Sequence, residues 1–178
     1  MITLKCGCRI TDEGKFIVAE MCKYCYNCNA VSKQHPFGEG IAIKMDDDSI
    51  KSVLENSKTI AVVGCSSNPE KAANRIPKYM QEHGYKIIPV NPNSENILGE
   101  KCYKLISDIQ ENVDIVDIFR PSEECLEIVK EAININPKVI WMQLAIINKD
   151  AKKLAEQHGI KVVMDKCLMV EHRKLNNL

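Results

Sequence analysis

The chain lacks an excess of charge of either sign, a long hydrophobic run and the leader of an exported protein. Its 178 residues carry 24 lysines and arginines against 24 aspartates and glutamates. A chain without net charge has no overall field to hold nucleic acid or an anionic membrane. No apolar stretch reaches membrane-spanning length, and the start, MITLKCGC, lacks the basic and apolar regions of a signal peptide. We therefore expect a cytoplasmic protein whose partners include neither nucleic acid nor membranes.

The sequence also lacks two parts of a dinucleotide site. The stretch TIAVVG, residues 59–64, is predicted to be a strand that ends in one glycine, Gly64, where a dinucleotide fingerprint has three. Asn91 follows the next predicted strand, where an acid normally holds the ribose hydroxyls of NAD. A nucleotide with several phosphates and no need of that carboxylate fits better. An NAD(P)-dependent oxidoreductase is the alternative interpretation.

Residues 50–178 alternate between apolar strands and helices of roughly ten residues. The predicted strands are 59–64, 86–92, 111–121, 137–144 and 160–165. Short, nearly continuous apolar strands separated by helices are typical of a parallel sheet covered on both faces. We predict one α/β domain over residues 50–178, with a doubly wound, mostly parallel, five-stranded sheet.

Local signals predict where the helices begin and end. Ile50, Val53 and Leu54 are spaced as on a short amphipathic helix before the first strand. Asn74 is predicted to cap the next helix, with Pro77 in its first turn and Gly84 at its end. Ser122 is predicted to cap the helix after the third strand.

Polar residues follow the predicted strands at their carboxyl ends, where open parallel sheets bind ligands. The first turn contributes a glycine, small polar residues and a nearby arginine suited to a phosphate. The candidate residues are Gly64, Cys65, Ser66, Ser67, Arg75, Asn91, Pro92, Phe119, Arg120 and Gln143. We predict that they form one pocket for an anionic ligand. The alternative is that these residues bind no ligand. Gly64 would then only allow the chain to turn, Arg120 would be a surface residue, and Gln143 would only hydrogen-bond to backbone groups.

Several motifs, in this order, resemble the small stand-alone CoA-binding proteins, which are related to the nucleotide-binding domain of the succinyl-CoA synthetase α subunit. They are AVVGCSSNPEKAANRIPKYMQEHGYKIIPVNPNSENILGEKCYKLISDI, VDIVDIFRPSE, VIWMQLAI and VVMDKCLMVEH, and they cover about residues 55–175. The resemblance implies a Rossmann-like domain that binds coenzyme A or an acyl-CoA. The sequence departs from the family at Cys65 and at KAAN, residues 71–74, where an apolar residue and a more Arg/Pro/Ser-like stretch are expected.

The resemblance also implies roles for the candidate residues. Gly64, Ser66, Ser67 and Arg75 would hold the phosphates. The nucleotide and pantetheine path, with Gln143 nearby, would be lined by Asn91, Pro92, Phe119 and Arg120.

We expect binding without turnover. A ligase of the synthetase type needs a phosphorylatable histidine on a second domain and an ATP-grasp partner, and the chain has room for neither. The four histidines stand singly: His35, His83, His158 and His172.

One hypothesis makes the coenzyme site redox-sensitive. Cys65 adjoins the presumed phosphate loop, and Cys167 follows the last strand. One of these thiols would exchange with oxidised coenzyme A, forming a mixed disulfide and releasing one coenzyme A thiol, since a thiolate near a helix N-terminus is activated. The alternative is that these two positions require only a small side chain, which cysteine provides.

Five of the nine cysteines fall within the first 28 residues, in the pattern C-x-C-x13-C-x2-C-x2-C: Cys6, Cys8, Cys22, Cys25 and Cys28. An odd count without a secretory signal argues against disulfides. A segment of about forty residues buries too little surface to fold unaided. We predict a zinc-ribbon-like segment over residues 1–40 that can also dock a protein partner.

Four of these five cysteines are predicted to bind Zn²⁺, with Cys6, Cys8, Cys22 and Cys25 as the first choice and Cys28 in competition. The alternative is an iron–sulfur cluster, because CKYCYNC repeats the C-x2-C-x2-C of bacterial ferredoxins. The chain would then be a metal-linked thiol sensor.

Overall fold

The computed structural model describes residues 2–3, 9–10 and 45–176. The chain divides into two compact units, Met1–Ala42 and Ile43–Leu178. In the first unit, β1 (Ile2–Thr3) pairs antiparallel with β2 (Arg9–Ile10). All five predicted metal ligands, Cys6, Cys8, Cys22, Cys25 and Cys28, lie outside the described residues.

The second unit alternates helices with mostly parallel strands. Its elements are α1 (Asp47–Glu55), β3 (Thr59–Val63), α2 (Ala72–Glu82), β4 (Lys86–Val90), β5 (Asn96–Ile97), β6 (Glu100–Lys101), β7 (Ile115–Ile118), α3 (Cys125–Ala132), β8 (Val139–Met142), α4 (Lys149–Gln157), β9 (Lys161–Val163) and α5 (Leu168–Asn176). Single 3-10 turns lie at Ile106–Asp108, Ser122–Glu124 and Ile133–Ile135. The short strands β5 and β6 form an antiparallel pair.

Five parallel strands form the main sheet in the order β4-β3-β7-β8-β9. The chain moves from β3 to β4 on one side and then returns to place β7 on the other side of β3. The strand order therefore reverses between β3 and β7, the position at which doubly wound sheets bind ligands. This sheet confirms the predicted α/β class and the predicted number of strands.

Helices cover both faces of the sheet. Successive strand residues point to opposite faces, so an apolar strand has side chains to bury on both of them. Ile60 and Val62 pack with the apolar sides of α1, α2 and α5. Ala61 and Val63 pack with those of α3 and α4. Burial of this apolar surface, worth about 25 cal/mol per Å², stabilises the layers. None of the helices in the described part of the chain is long and apolar enough to cross a membrane.

The start of α2 differs from the prediction. The helix begins at Ala72 with Lys71 as its N-cap, so Asn74 lies inside the first turn and is buried. Pro77 consequently falls in the middle of the helix rather than in its first turn. A proline has no N–H to donate to the carbonyl four residues earlier. The carbonyl of Ala73 accepts instead from the N–H of Ser66, at 3.1 Å.

Ser122 does not cap α3, whose N-cap is Glu124. Its hydroxyl oxygen accepts a hydrogen bond from the N–H of Ile147, at 3.0 Å, in the loop after β8. The prediction was wrong because a 3-10 turn that begins at Ser122 precedes the helix. The side chain therefore joins two loops at the carboxyl edge of the sheet.

Candidate functional site

A cleft of about 510 Å³ opens at the carboxyl ends of β3, β4 and β7, where the strand order reverses. Seven of the ten candidate residues line it. They are Gly64, Cys65, Ser66, Asn91, Pro92, Phe119 and Arg120. The fold therefore brings the ends of three strands together around one cavity, as the sequence predicts.

Gly64 allows the chain to turn sharply at the end of β3. Its φ angle of +83° favours glycine, and its N–H donates to the carbonyl of Val90, at 3.0 Å. A Cβ atom on Gly64 would lie 2.9 Å from Cδ of Arg120 and 3.4 Å from the carbonyl carbon of Phe119. The glycine is thus required both by the backbone angle and by the close approach of the loop after β7.

Two asparagine side chains hold the loop that follows Gly64. Nδ2 of Asn91 donates to the carbonyl of Cys65 at 2.7 Å, and Nδ2 of Asn74 donates to the carbonyl of Ser66 at 2.6 Å. A carboxylate at position 91 has no hydrogen to donate. Asn91, which stands where an NAD site normally has an acid, therefore has a structural role of its own.

The N-terminus of α2 presents unpaired N–H groups beside the cleft. The N–H groups of Ala72 and Ala73 have no hydrogen-bond partner among the residues the structure describes, and the Lys71 side chain does not cap the helix. Lys71 and Ala73 both line the cleft. Free N–H groups and the positive end of a helix favour a bound anion, and a lysine adds a full charge.

Several cleft residues were not predicted from the sequence: Lys71, Lys104, Leu105, Glu124, Ile128 and Glu131. A signal for Lys71 was available, because it is the basic residue directly before α2. Lys104 and Leu105 lie in the loop between β6 and β7, Glu124 in the 3-10 turn before α3, and Ile128 and Glu131 on α3. Only the packing of these elements around the turn places them in the cleft.

Arg120 is paired with a carboxylate rather than left free for a phosphate. Its Nε donates to Oε2 of Glu124 at 2.8 Å, and its Nη2 donates to Oε1 at 2.9 Å. These hydrogen bonds raise the pKa of Arg120 above its ordinary value. The described structure therefore leaves two unpaired cations on the cleft wall, Lys71 and Lys104.

Ser67 and Arg75 do not line the cleft, although the sequence predicts that both contact a phosphate. Ser67 is exposed in the loop, and Arg75 is exposed on α2. Because the helix begins at Ala72, Arg75 lies beyond the end that offers free N–H groups.

Gln143 lies in the interior instead of on the cleft wall. Its Nε2 donates to both carboxyl oxygens of Asp117, at 2.9 and 3.0 Å, and its Oε1 accepts from the N–H of Leu168, at 3.3 Å. Burial raises the pKa of Asp117 to about 8, although the hydrogen bond from Gln143 opposes the rise. Gln143 thus joins β7 and β8 to the start of α5.

The thiol of Cys65 is not activated, so the premise of the mixed-disulfide hypothesis is wrong for this residue. The side chain is fully buried. Burial, with a smaller contribution from the neighbouring Cys102, raises the pKa of Cys65 to about 12. Cys167 precedes α5 and does not line the cleft.

The described histidines lie away from the cleft. His83 and His172 pack against each other between α2 and α5, with ring centroids 5.3 Å apart. Within the described residues, no group of three or more His, Cys, Asp or Glu side chains is placed to hold a metal ion.

Residues 58–173 match the family model described as CoA binding domain. The chain belongs to this family. The match covers nearly all of the second unit and confirms the resemblance over residues 55–175.

Relatives of this chain include proteins that it matches over nearly their whole length and enzymes of which it matches only a small part. The uncharacterized protein YneT of Bacillus subtilis (strain 168) is 38% identical over 123 residues, covering 69% of the chain and 91% of YneT. A hypothetical protein from Pyrococcus horikoshii OT3, of known structure, is 39% identical with a TM-score of 0.73, covering 78% of the chain and 97% of that protein. The ADP-forming acetate–CoA ligase of Methanocaldococcus jannaschii is 28% identical over 127 residues, covering 67% of the chain but only 18% of the ligase.

Proposed function

We propose that the cleft binds coenzyme A or an acyl-CoA, with the diphosphate at the N-terminus of α2. One observation carries this proposal. Two unpaired N–H groups, of Ala72 and Ala73, lie beside a cleft of about 510 Å³ whose wall contains the glycine turn and the cation Lys71. These groups neutralise an anion by local geometry, which a chain without net charge requires.

The clamped loop supports the same assignment. Because Asn74 and Asn91 hold the carbonyls of Ser66 and Cys65, the loop is ordered before a ligand arrives. Preorganisation reduces the entropy that binding costs. Asn91 is engaged with the protein's own backbone, and the family match gives no support to an NAD(P) ligand.

We further propose that the chain binds the coenzyme without turning it over. The cleft wall contains no histidine among the described residues, and its one cysteine, Cys65, has a buried thiol with a pKa of about 12. A nucleophile or a general base would need a pKa nearer to neutrality. The ligase activity of the longer relatives belongs to proteins of which this chain spans about a fifth.

Titration calorimetry of the full chain with coenzyme A tests the proposal. Wild-type protein should bind one coenzyme per chain, and Lys71→Gln should weaken binding about tenfold, because a hydrogen bond to a charged group contributes roughly 1.5 kcal/mol. Lys78→Gln is the matched control. Lys78 lies on the same helix, is exposed and faces Glu82, and it does not line the cleft.

Absence of binding heat with saturating coenzyme A, together with an unchanged melting temperature, would contradict the proposal, since a ligand of the native state raises stability. A larger thermal shift with NAD or NADP than with coenzyme A would favour the oxidoreductase alternative. Equal affinities of Lys71→Gln and Lys78→Gln would remove Lys71 from the phosphate site.

A further inference from the structure

One wall of the cleft is apolar. Its residues are distant in sequence from the N-terminus of α2. It forms where the 3-10 turn Ile106–Asp108 packs against α3. Leu105 is 54% exposed, and the buried Ile106 and the half-buried Ile128 line the cleft with it. All three side chains line the cleft, so a ligand can bury apolar surface against them.

A carboxylate lies at this apolar wall. Oε1 of Glu131 accepts two hydrogen bonds from Ser107, one from the N–H and one from the hydroxyl, both at 2.9 Å. Its Oε2 has no partner among the residues that the structure describes. Glu131 lines the cleft, and the two bonds from Ser107 fix its orientation. The wall therefore offers one oriented, negatively charged acceptor beside an apolar surface.

This combination limits which part of a ligand can bind there. A phosphate placed against Oε2 would be repelled by the carboxylate, and it fits better beside the unpaired cations Lys71 and Lys104. A saturated acyl chain would cover the apolar surface but leave Oε2 without a donor, which costs free energy once water is excluded. A nucleobase has apolar faces and hydrogen-bonding groups on its edge, so it can satisfy both features.

We propose that this wall is the nucleobase subsite and that Glu131 recognises the exocyclic amino group of adenine. The inference rests on the proposed binding of coenzyme A and adds a specificity-determining residue to it. The amino group of adenine donates hydrogen bonds, whereas guanine and hypoxanthine carry an oxygen at the same ring position. A carboxylate accepts from the amino group and repels the oxygen, so Glu131 selects adenine.

Calorimetry with two forms of the coenzyme tests this subsite. In etheno-CoA, a two-carbon bridge blocks the amino group and the neighbouring ring nitrogen of adenine. Wild-type protein should bind coenzyme A at least about tenfold more tightly than etheno-CoA, as expected for one lost hydrogen bond to a charged group.

Glu131→Gln keeps the shape of the side chain and an oxygen for Ser107, but it puts N–H groups where Oε2 was. It should weaken binding of coenzyme A and bring the ratio of the two affinities to within about threefold of one. Glu127→Gln, on the same helix, is the control: Glu127 is exposed, pairs with Lys130 and does not line the cleft. Melting temperatures equal to that of the wild type show that both variants are folded.

Tight but equal binding of the two coenzymes by the wild type would overturn the subsite and leave the coenzyme site intact. A ratio that persists in Glu131→Gln would also overturn it, because the bulk of the bridge and not the carboxylate would then cause the discrimination. Failure of the wild type to bind either compound would overturn the proposed function and the subsite together.

Discussion

Asp117 is the residue whose environment departs most from that of an ordinary aspartate. Its side chain is fully buried on β7, and its carboxyl oxygens accept hydrogen bonds from Gln143 alone among the described residues. Burial disfavours the charged form and raises the pKa to about 8. At neutral pH the folded protein therefore holds a proton on Asp117 that the unfolded chain has released.

Because of this proton, the free energy of unfolding decreases as the pH rises. An unfolded aspartate loses its proton near pH 4, whereas native Asp117 retains it up to about pH 8. Between these values the native state binds more protons, so the free energy of unfolding falls as the pH rises. Urea unfolding of the wild type at pH 7 and 8 should show this loss, with a slope of up to about 1.4 kcal/mol per pH unit.

Asp117→Asn should reduce that slope, while Asp150→Asn, at an exposed site on α4, should keep the slope of the wild type. The buried thiols of Cys65, Cys102 and Cys125 also lower stability in this range, because burial raises their pKa values, but they contribute equally to the wild type and to both variants. Burial, together with the nearby His83, lowers the pKa of His172, so this histidine contributes mainly below pH 7. A wild-type slope equal to that of Asp117→Asn would show that the buried carboxyl does not titrate as described.

At the scale of secondary structure, the glycine turn depends on elements that flank it. The end of β4 contributes Asn91, and the first turn of α2 contributes Asn74 and the carbonyl of Ala73. Because Pro77 has no N–H, the carbonyl of Ala73 lacks its usual helical donor and accepts a hydrogen bond from the N–H of Ser66 instead. The loop is thus held by hydrogen bonds from two directions.

Asn91→Asp tests the clamp on this loop. The substitution keeps the acceptor for the N–H of Asn93 but removes the donor to the carbonyl of Cys65, and it sets a carboxylate against that carbonyl. The free energy of unfolding should fall by about 1–3 kcal/mol, and coenzyme A binding should weaken. Chemical denaturation and calorimetry measure the two effects.

Asn93→Asp is the matched control for Asn91→Asp. It adds the same charge to the cleft wall at an exposed side chain, without touching the clamp. Stability should then stay within about 0.5 kcal/mol of the wild type. Equal losses of stability in the two variants would mean that charge, and not the lost hydrogen bond, is responsible.

The order of elements was predictable because their signals are local. The apolar runs at 59–63 and 86–90 and the amphipathic spacing of α1 identify strands and a helix without tertiary information. The start of α2 was not predictable. Asn74 is a residue type that often caps helices, but its side chain donates to the carbonyl of Ser66 instead. The helix therefore begins earlier, at Ala72.

At the scale of the whole molecule, the metal prediction for the first unit stays a prediction. Purified full-length protein should contain about one zinc ion per chain, measured by atomic emission, and should be colourless when prepared without oxygen. Cys22→Ser combined with Cys25→Ser should remove the zinc, because only three of the five cysteines then remain and a structural zinc site needs four ligands.

Cys167→Ser, in the second unit, should retain the full zinc content and serves as the control. Iron with visible absorption would favour the iron–sulfur alternative. A protein that contains neither metal would contradict both interpretations of the cysteine spacing.

The amino-acid sequence alone determined the α/β class, the five strands, the family and most of the residues at the strand ends. These follow from periodicity, turn residues and motifs that act within a few neighbouring positions. Only the tertiary structure decided that Lys71, Glu124 and Glu131 line the cleft, that Arg120 is already paired and that Cys65 is buried. Exposure depends on what packs against a side chain, and those neighbours come from distant parts of the chain. The pairing of Arg120 with Glu124, four residues further on, depends on the 3-10 turn that holds Glu124.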